Sequence, residues 1–230
     1  MKLSVVVPIY NERSTIKTVL DRLAALPVNK EIIVVDDGST DGSRQYLESR
    51  VASRDGEEVP IKFFAHEKNQ GKGSAIITAL QHISGDAVII QDADLEYDPA
   101  EIPALLEPLI QGRARVVYGS RFMGSIQGMW WSHWLANRIL TITTNVLYGS
   151  HLTDEATGYK LFRRDVLDGL KLTCRRFEFC PEVTAKVLKQ GHPILEIPVS
   201  SYVARHLDKK ISWTDGVAAF WVLVRERLRR

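Results

Sequence analysis

Between residues 3 and 119, five short runs of β-branched and aliphatic residues alternate with stretches of helical periodicity, and this alternation restricts the chain to few architectures. The runs are Leu3 to Val7, Glu31 to Val35, Ile61 to Ala65, Ala87 to Gln91 and Val116 to Gly119. Ser14 to Leu26 sets Ile16, Val19, Leu20 and Leu23 on one helical face, and residues 41–51, 73–83 and 99–111 are helical in the same sense. The strand runs are apolar at consecutive positions, so both of their faces must be buried. Strands of that kind separated by helices make an α/β fold, a doubly wound and mostly parallel sheet with helices on both faces. The 230 residues suit a single domain over 1–230, with one half at 1–120 and a second at 121–230.

The second half has a different character. Met129 to Tyr148 is helical and rich in aromatics, with Trp130, Trp131 and Trp134 close together. A turn at Thr157-Gly158, a helix from Glu182 to Gln190 and a strand from Ile194 to Val199 follow, and Ile211 to Arg230 is amphipathic. A net charge of +2 gives no footprint for nucleic acid. Cys174 and Cys180 lack the second pair or clustered histidines of a zinc site and are expected to stay reduced, without a role. MKLSVVVPIYNE reads as a first strand, not a signal peptide, and no stretch reaches the roughly 18 uncharged apolar residues of a spanning helix. The expected location is therefore cytoplasmic, either free or peripheral to a membrane.

In open sheets of this kind ligands bind beyond the carboxyl ends of the strands. The polar clusters fall there: Tyr10-Asn11-Glu12 after the first strand, Asp36-Asp37 after the second and Asp92-Ala93-Asp94 after the fourth. Asp92 and Asp94 flank one residue, and a turn can bring both carboxylates to one hard cation, Mg²⁺ or Mn²⁺, bridging a diphosphate. Such a cation would neutralise charge on a departing nucleoside diphosphate. Asp36 and Asp37 can accept hydrogen bonds from a base or ribose. In Asn69-Gln70-Gly71-Lys72-Gly73 the glycines would let backbone approach a ligand and Lys72 would offer it a positive charge, although the spacing is not that of a P-loop.

VVVPIYNE at 5–12, VVDDGSTDGS at 34–43, NQGKGSA at 69–75, QDADLEYDP at 91–99, GSRF at 119–122 and DEATGYKLFRR at 154–164 occur in this order, before Tyr202-Val203-Ala204-Arg205 and Lys209-Lys210-Ile211-Ser212. With these motifs the chain resembles family 2 glycosyltransferases of GT-A fold, especially the dolichyl- and polyprenyl-phosphate sugar synthases. The resemblance implies a nucleotide-sugar-binding half at 1–120 and an acceptor-binding half at 121–230 that ends in an interfacial helix. Pro8, Tyr10, Glu12 and Asp37 would hold base and ribose. Asp92, Ala93 and Asp94 would lie along the nucleotide sugar, Asp92 and Asp94 binding metal and diphosphate, with Glu96 as a third metal ligand. Arg205 and Lys210 would clamp the diphosphate, and transfer would invert the anomeric centre. The donor would be GDP-mannose or UDP-glucose.

The acceptor divides two readings. A hydroxyl needs a general base, for which Asp154 is the candidate; a phosphate monoester needs only cations, and Asp154 would then orient the acceptor site. By resemblance, Arg121 and Arg138 would hold an acceptor phosphate. The aromatic segments at 129–134 and 213–224, the second beside Arg225, Arg227, Arg229 and Arg230, favour polyprenyl or dolichyl phosphate at the cytoplasmic membrane face, reached directly or through a membrane partner protein. A hydroxyl acceptor in cell-wall or polysaccharide synthesis is the alternative. A sugar-nucleotide nucleotidyltransferase would be expected to carry a glycine-rich signature where this chain has Pro-Ile-Tyr-Asn-Glu.

Overall fold

The structure, a computed structural model, describes residues 1–53, 59–200, 202–204 and 213–229. Every residue of β1 (Leu3–Ile9) is buried. The period of two along an extended chain splits β1 between two cores, with Leu3, Val5, Val7 and Ile9 in one and Val6 in the other. The same division recurs in β2 (Lys30–Asp36), where Ile32 and Val34 face one core and Ile33 and Val35 the other. One layer over the sheet comprises α1 (Ile16–Ala24), α2 (Ser43–Ala52) and α4 (Ile102–Ile110), which follows a 3₁₀ turn at Pro99–Glu101. The other comprises α3 (Lys72–Leu80), α6 (Arg164–Asp168) and α7 (Phe179–Lys189). This is the expected doubly wound α/β arrangement.

With β3 (Ile61–Ala65), β4 (Ala87–Ile90), β5 (Val116–Ser120), β7 (Lys160–Arg163) and β8 (Ile194–Pro198), the seven-stranded sheet has the order β3-β2-β1-β4-β7-β5-β8. All pairs are parallel except the two that β7 makes, with β4 and β5. The chain runs outward from β1 to β3 and then crosses back to place β4 on the other side of β1. That reversal opens a crevice at the carboxyl ends of β1 and β4. The antiparallel β7 enters the sheet at the edge where its neighbours leave it, so the turn before it comes to the same edge. Residues 154–162 read in sequence as a turn without a strand; the four-residue β7 is the difference, and its Lys160 is wholly buried.

Two further pieces complete this edge. β6 (Ile126–Gln127) pairs with β9 (Tyr202–Val203), a pairing too short and too distant in sequence to be anticipated. The helix α5 (Trp131–Tyr148) packs against α8 (Trp213–Leu228), where the Tyr148 hydroxyl donates to the Leu223 carbonyl at 2.6 Å. Among the described residues, no helix is long and apolar enough to cross a membrane.

Candidate active site

The loops after β1 and β2 are sewn together by side-chain bonds to backbone. The Asn11 and Glu12 amides donate to Ser39 Oγ (2.9 Å) and Ser43 Oγ (3.0 Å), and the Thr40 amide donates to Asn11 Oδ1 (2.8 Å). Asn11 has φ 55°, a conformation asparagine tolerates better than most residues. Pro8 sits inside β1 opposite Val35, and Tyr10 is half-buried on the loop. Glu12 is buried, with Oε2 accepting from the Thr15 hydroxyl at 2.9 Å and its carbonyl receiving the first amides of α1.

Asp37 is committed to the fold. Its carboxylate accepts from the amides of Gln70 (2.9 Å) and Gly71 (2.7 Å) and lies 2.7 Å from His66 Nδ1. A group so bound positions the 69–71 loop, alongside its expected part as a ribose or base contact. Its neighbour Asp36 is fully buried, takes one amide, from Ser39 (3.2 Å), and leaves Oδ1 without a hydrogen-bond partner among the described residues. Of the two, Asp36 retains the greater acceptor capacity.

The glycines of the next loop approach the chain itself. Gly71 has φ 102°, and a Cβ there would lie 2.4 Å from the Arg175 carbonyl oxygen. The amides of Gly73 and Ser74, in the first turn of α3, donate to the carbonyls of Arg176 (3.0 Å) and Arg175 (2.9 Å). These helix-end donors are thereby spent, so the loop is no backbone cradle for a phosphate. What α3 offers is the side chain of Lys72, whose Nζ lies 2.5 Å from Asp92 Oδ1. Burial works to lower the Lys72 pKa, but the facing Asp92 charge outweighs it and carries the value up to about 12.

Asp92 leaves β4 with its second oxygen against Gly158, where a Cβ would come within 3.0 Å of Oδ2. A larger residue at position 158 would crowd that carboxylate. Ala93 is buried in the core. Asp94 Oδ1 accepts the Glu96 amide at 3.0 Å around Leu95, whose φ of 64° costs about 1–2 kcal/mol in a residue with a Cβ. Burial, then the charges of Asp92 and Glu96, push the Asp94 carboxyl up to about 7. Glu96 Oε2 accepts from the Tyr202 hydroxyl at 3.2 Å. Among the described residues no three acidic, histidine or cysteine side chains gather as a metal cage, and Glu96, the expected third ligand, is turned to the Tyr202 hydroxyl. Asp92 and Asp94 still suit a hard divalent cation, because both are oxygen donors and the charge on Asp94 is poorly compensated. Diphosphate oxygens and water would have to complete its shell.

On the other side of the crevice, Arg121 follows β5 and Asp154 precedes the turn into β7. Arg121 Nε and Nη2 each donate to one oxygen of Asp154 at 2.7 Å, and the Arg121 amide adds a third bond at 3.0 Å. Asp154 is 0% exposed and Arg121 6%. Glu196, in β8, fixes this corner by accepting the amides of Thr153 (2.7 Å) and Asp154 (2.9 Å). Arg138, on α5, donates toward the Thr153 carbonyl at 3.4 Å. Both guanidiniums lie against the Phe122 ring, at 6.0 Å for Arg121 and 5.5 Å for Arg138, and Trp134 meets the same ring edge-on at 6.4 Å. Two cations therefore converge on one aromatic side chain that also touches α5.

A sequence profile of the family described as "Glycosyl transferase family 2" matches residues 4–170, well over half of the chain. The chain belongs to glycosyl transferase family 2. Among its family 2 relatives, a dolichol-phosphate mannosyltransferase of Pyrococcus furiosus is 28% identical over 220 residues, covering 92% of this chain and 59% of the relative. An undecaprenyl-phosphate 4-deoxy-4-formamido-L-arabinose transferase of Aeromonas hydrophila is 31% identical over 182 residues, covering 77% of this chain and 54% of the relative. The chain thus spans little more than half the length of these two relatives. Among solved structures, Mycobacterium tuberculosis glucosyl-3-phosphoglycerate synthase in complex with Mn²⁺, UDP-glucose and phosphoglyceric acid superposes with a TM-score of 0.76 at 22% identity, over 98% of this chain and 79% of that one. That likeness identifies the fold as GT-A.

In this family 2 chain the crevice gathers Asp92, Asp94 and Lys72 on one flank, and Arg121, Asp154 and Arg138 on the other. Arg205 and Lys210, expected to clamp a diphosphate, lie outside the described residues. Of the two roles expected for Asp154, its burial and the Arg121 guanidinium on both its oxygens suit orienting the acceptor site better than acting as a base. Phe122 and Glu196 were not singled out in sequence as site residues, whereas Asp36 was, together with Asp37, as an acceptor for base or ribose. Glu196 has one signal, a carboxylate inside the apolar run ILEIP; Phe122 has none beyond following Arg121.

Proposed function

We propose that this chain transfers a hexose from a nucleoside diphosphate to a polyprenyl phosphate, with inversion, at the cytoplasmic face of a membrane. The observation that carries this reading is the union of Arg121, Arg138 and Phe122 with Trp134 of α5. A guanidinium held by a bidentate carboxylate presents its remaining donors in a fixed direction, which suits a phosphate, and it engages the Asp154 oxygens that a base role would need. Along α5, Trp131, Leu135, Ile139, Ile142 and Val146 recur every three or four residues and all are exposed, up to 78% at Val146. A lipid phosphate could thus meet the arginines with its head while its apolar chain lies beside this stripe. The names of the two curated relatives, both transferases acting on polyprenol-type phosphates, point the same way.

Asp92 and Asp94 would hold Mg²⁺ or Mn²⁺, which when bound supplies Lewis-acid neutralisation of the departing diphosphate. Asp37 keeps the 69–71 loop in place beneath the nucleotide, and Lys72 brings a positive charge to the diphosphate end. GDP-mannose and UDP-glucose are the donors to try first. The test is release of nucleoside diphosphate from a panel of UDP- and GDP-sugars with Mg²⁺ or Mn²⁺, with and without a short polyprenyl phosphate. The expected outcome is release that depends on the lipid phosphate and names the donor. Release driven by a hydroxyl acceptor, and indifferent to polyprenyl phosphate, would overturn the acceptor assignment.

A further inference from the structure

The geometry of the Asp92 carboxylate raises a question about how a divalent cation reaches it. One oxygen, Oδ1, is in contact with the Lys72 ammonium at 2.5 Å, and the other lies on the side of Gly158, where a Cβ would come to 3.0 Å from it. Lys72 has no freedom to withdraw by moving its backbone. On one side Gly71 gives its amide to Asp37 and packs on the Arg175 carbonyl; on the other, Gly73 and Ser74 are bonded to the carbonyls of Arg176 and Arg175. The side chain is another matter. Its four-carbon stem can swing the ammonium by several ångströms, and the pair is only partly buried, with side-chain exposures of 24% and 18%.

We propose that Lys72 is a resident counter-cation of Asp92 that yields the carboxylate only when a diphosphate arrives to take the ammonium, so that divalent cation and nucleotide bind as a coupled pair. This rests on the reading of the crevice as a metal and diphosphate site and adds the order of assembly to it. Before the donor binds, a divalent cation must displace a like charge from Asp92, which weakens its hold. Once the diphosphate is present, Lys72 has a second anionic partner on the same flank. Moving to it frees Asp92 while the total number of ion pairs is preserved. The exchange makes the affinities of metal and nucleotide mutually dependent, and such a coupling is equal in both directions.

Titration calorimetry of the full chain with Mn²⁺, alone and with saturating UDP or GDP, tests this. The wild-type chain is expected to bind Mn²⁺ weakly alone and much more tightly with one of the two nucleotides. Lys72→Gln, on a partly exposed side chain, is expected to bind Mn²⁺ alone about tenfold more tightly, the order that removing one adjacent like charge produces. The nucleotide should then enhance its Mn²⁺ affinity less than it does in wild type. Lys72→Arg keeps the charge and should keep the coupling. Unchanged or weaker Mn²⁺ binding by Lys72→Gln without nucleotide would overturn the proposal while leaving the metal and diphosphate site standing. Absence of Mn²⁺ binding by wild type even with UDP or GDP would remove the site itself, and the proposal with it.

Discussion

At the scale of single residues, the fate of a carboxylate is decided by what faces it. Asp154 is buried and its two oxygens face one guanidinium, so the pair is worth little net stability yet is costly to break. Removing either partner leaves the other charge buried without compensation. Asp154→Ala and Arg121→Ala should each lower unfolding free energy by about 3–5 kcal/mol in urea titrations. The paired change Arg121→Met with Asp154→Leu should cost clearly less than the sum of the single changes. Single variants as stable as wild type would show that the pair does not brace this corner. The motifs brought the chemistry-bearing residues to the right edge, since each cluster follows a strand. Their bonding could not be read, because it is long-range: Asp37 meets amides 33 and 34 residues on, and Arg121 meets Asp154 across 33. Gly71 shows the same limit. Its residue type announces a close approach, but not that the approaching group is the carbonyl of Arg175.

At the scale of elements, the parallel strands were legible because each is an apolar run set off by helical stretches, whereas β7, KLFR, has a basic residue at each end and only two apolar residues between them. That strand could be recognised only once β4 and β5 stood on either side of it. The opposite edge of the sheet is tied by Glu31 of β2, which is 1% exposed. It accepts from the Ser4 hydroxyl of β1 (2.6 Å) and the Ser84 hydroxyl (2.7 Å), and pairs with Lys62 of β3 (3.0 Å). Burial alone would raise its pKa, but the hydrogen bonds from Ser4 and Ser84 and the Lys62 ammonium outweigh it and hold the carboxyl well below the usual range. The folded value then lies below the unfolded one of about 4.3. Its stabilisation is therefore fully present above that pH and is lost as pH falls towards the folded value. Glu31→Gln should cost about 1–3 kcal/mol at neutral pH by leaving its partners poorly satisfied. Urea midpoints measured from neutral to acidic pH should fall less steeply for the variant than for wild type. Parallel curves would show that Glu31 contributes nothing to acid sensitivity.

At the scale of the whole molecule, apolar surface is distributed unevenly. The sheet buries both faces, and α8 buries Ala219, Val222 and Leu223 while leaving Val217, Phe220 and Trp221 exposed, Trp221 at 63%. Together with the α5 stripe this leaves two adjoining helices presenting large apolar side chains outward, more than a soluble monomer normally tolerates. The sequence suggested α5 as interfacial and left α8 divided between core and membrane; one side of α8 is packed in the core and the other is exposed. Exposed Arg225, Arg227 and Arg229 at the end of α8 add attraction to an anionic surface. Co-sedimentation with anionic phospholipid vesicles should therefore capture the chain, and more weakly as salt is raised. Trp131→Ser with Ile142→Ser removes two exposed side chains from the stripe without touching the core. Each contributes up to about 1.5–3 kcal/mol when fully buried, so partial immersion still predicts a loss of about tenfold or more in vesicle affinity. The thermal midpoint should not move. If the double variant bound vesicles like wild type but no longer self-associated in sedimentation velocity, the stripe would be a contact between copies of the chain, and the acceptor would need another route to Arg121.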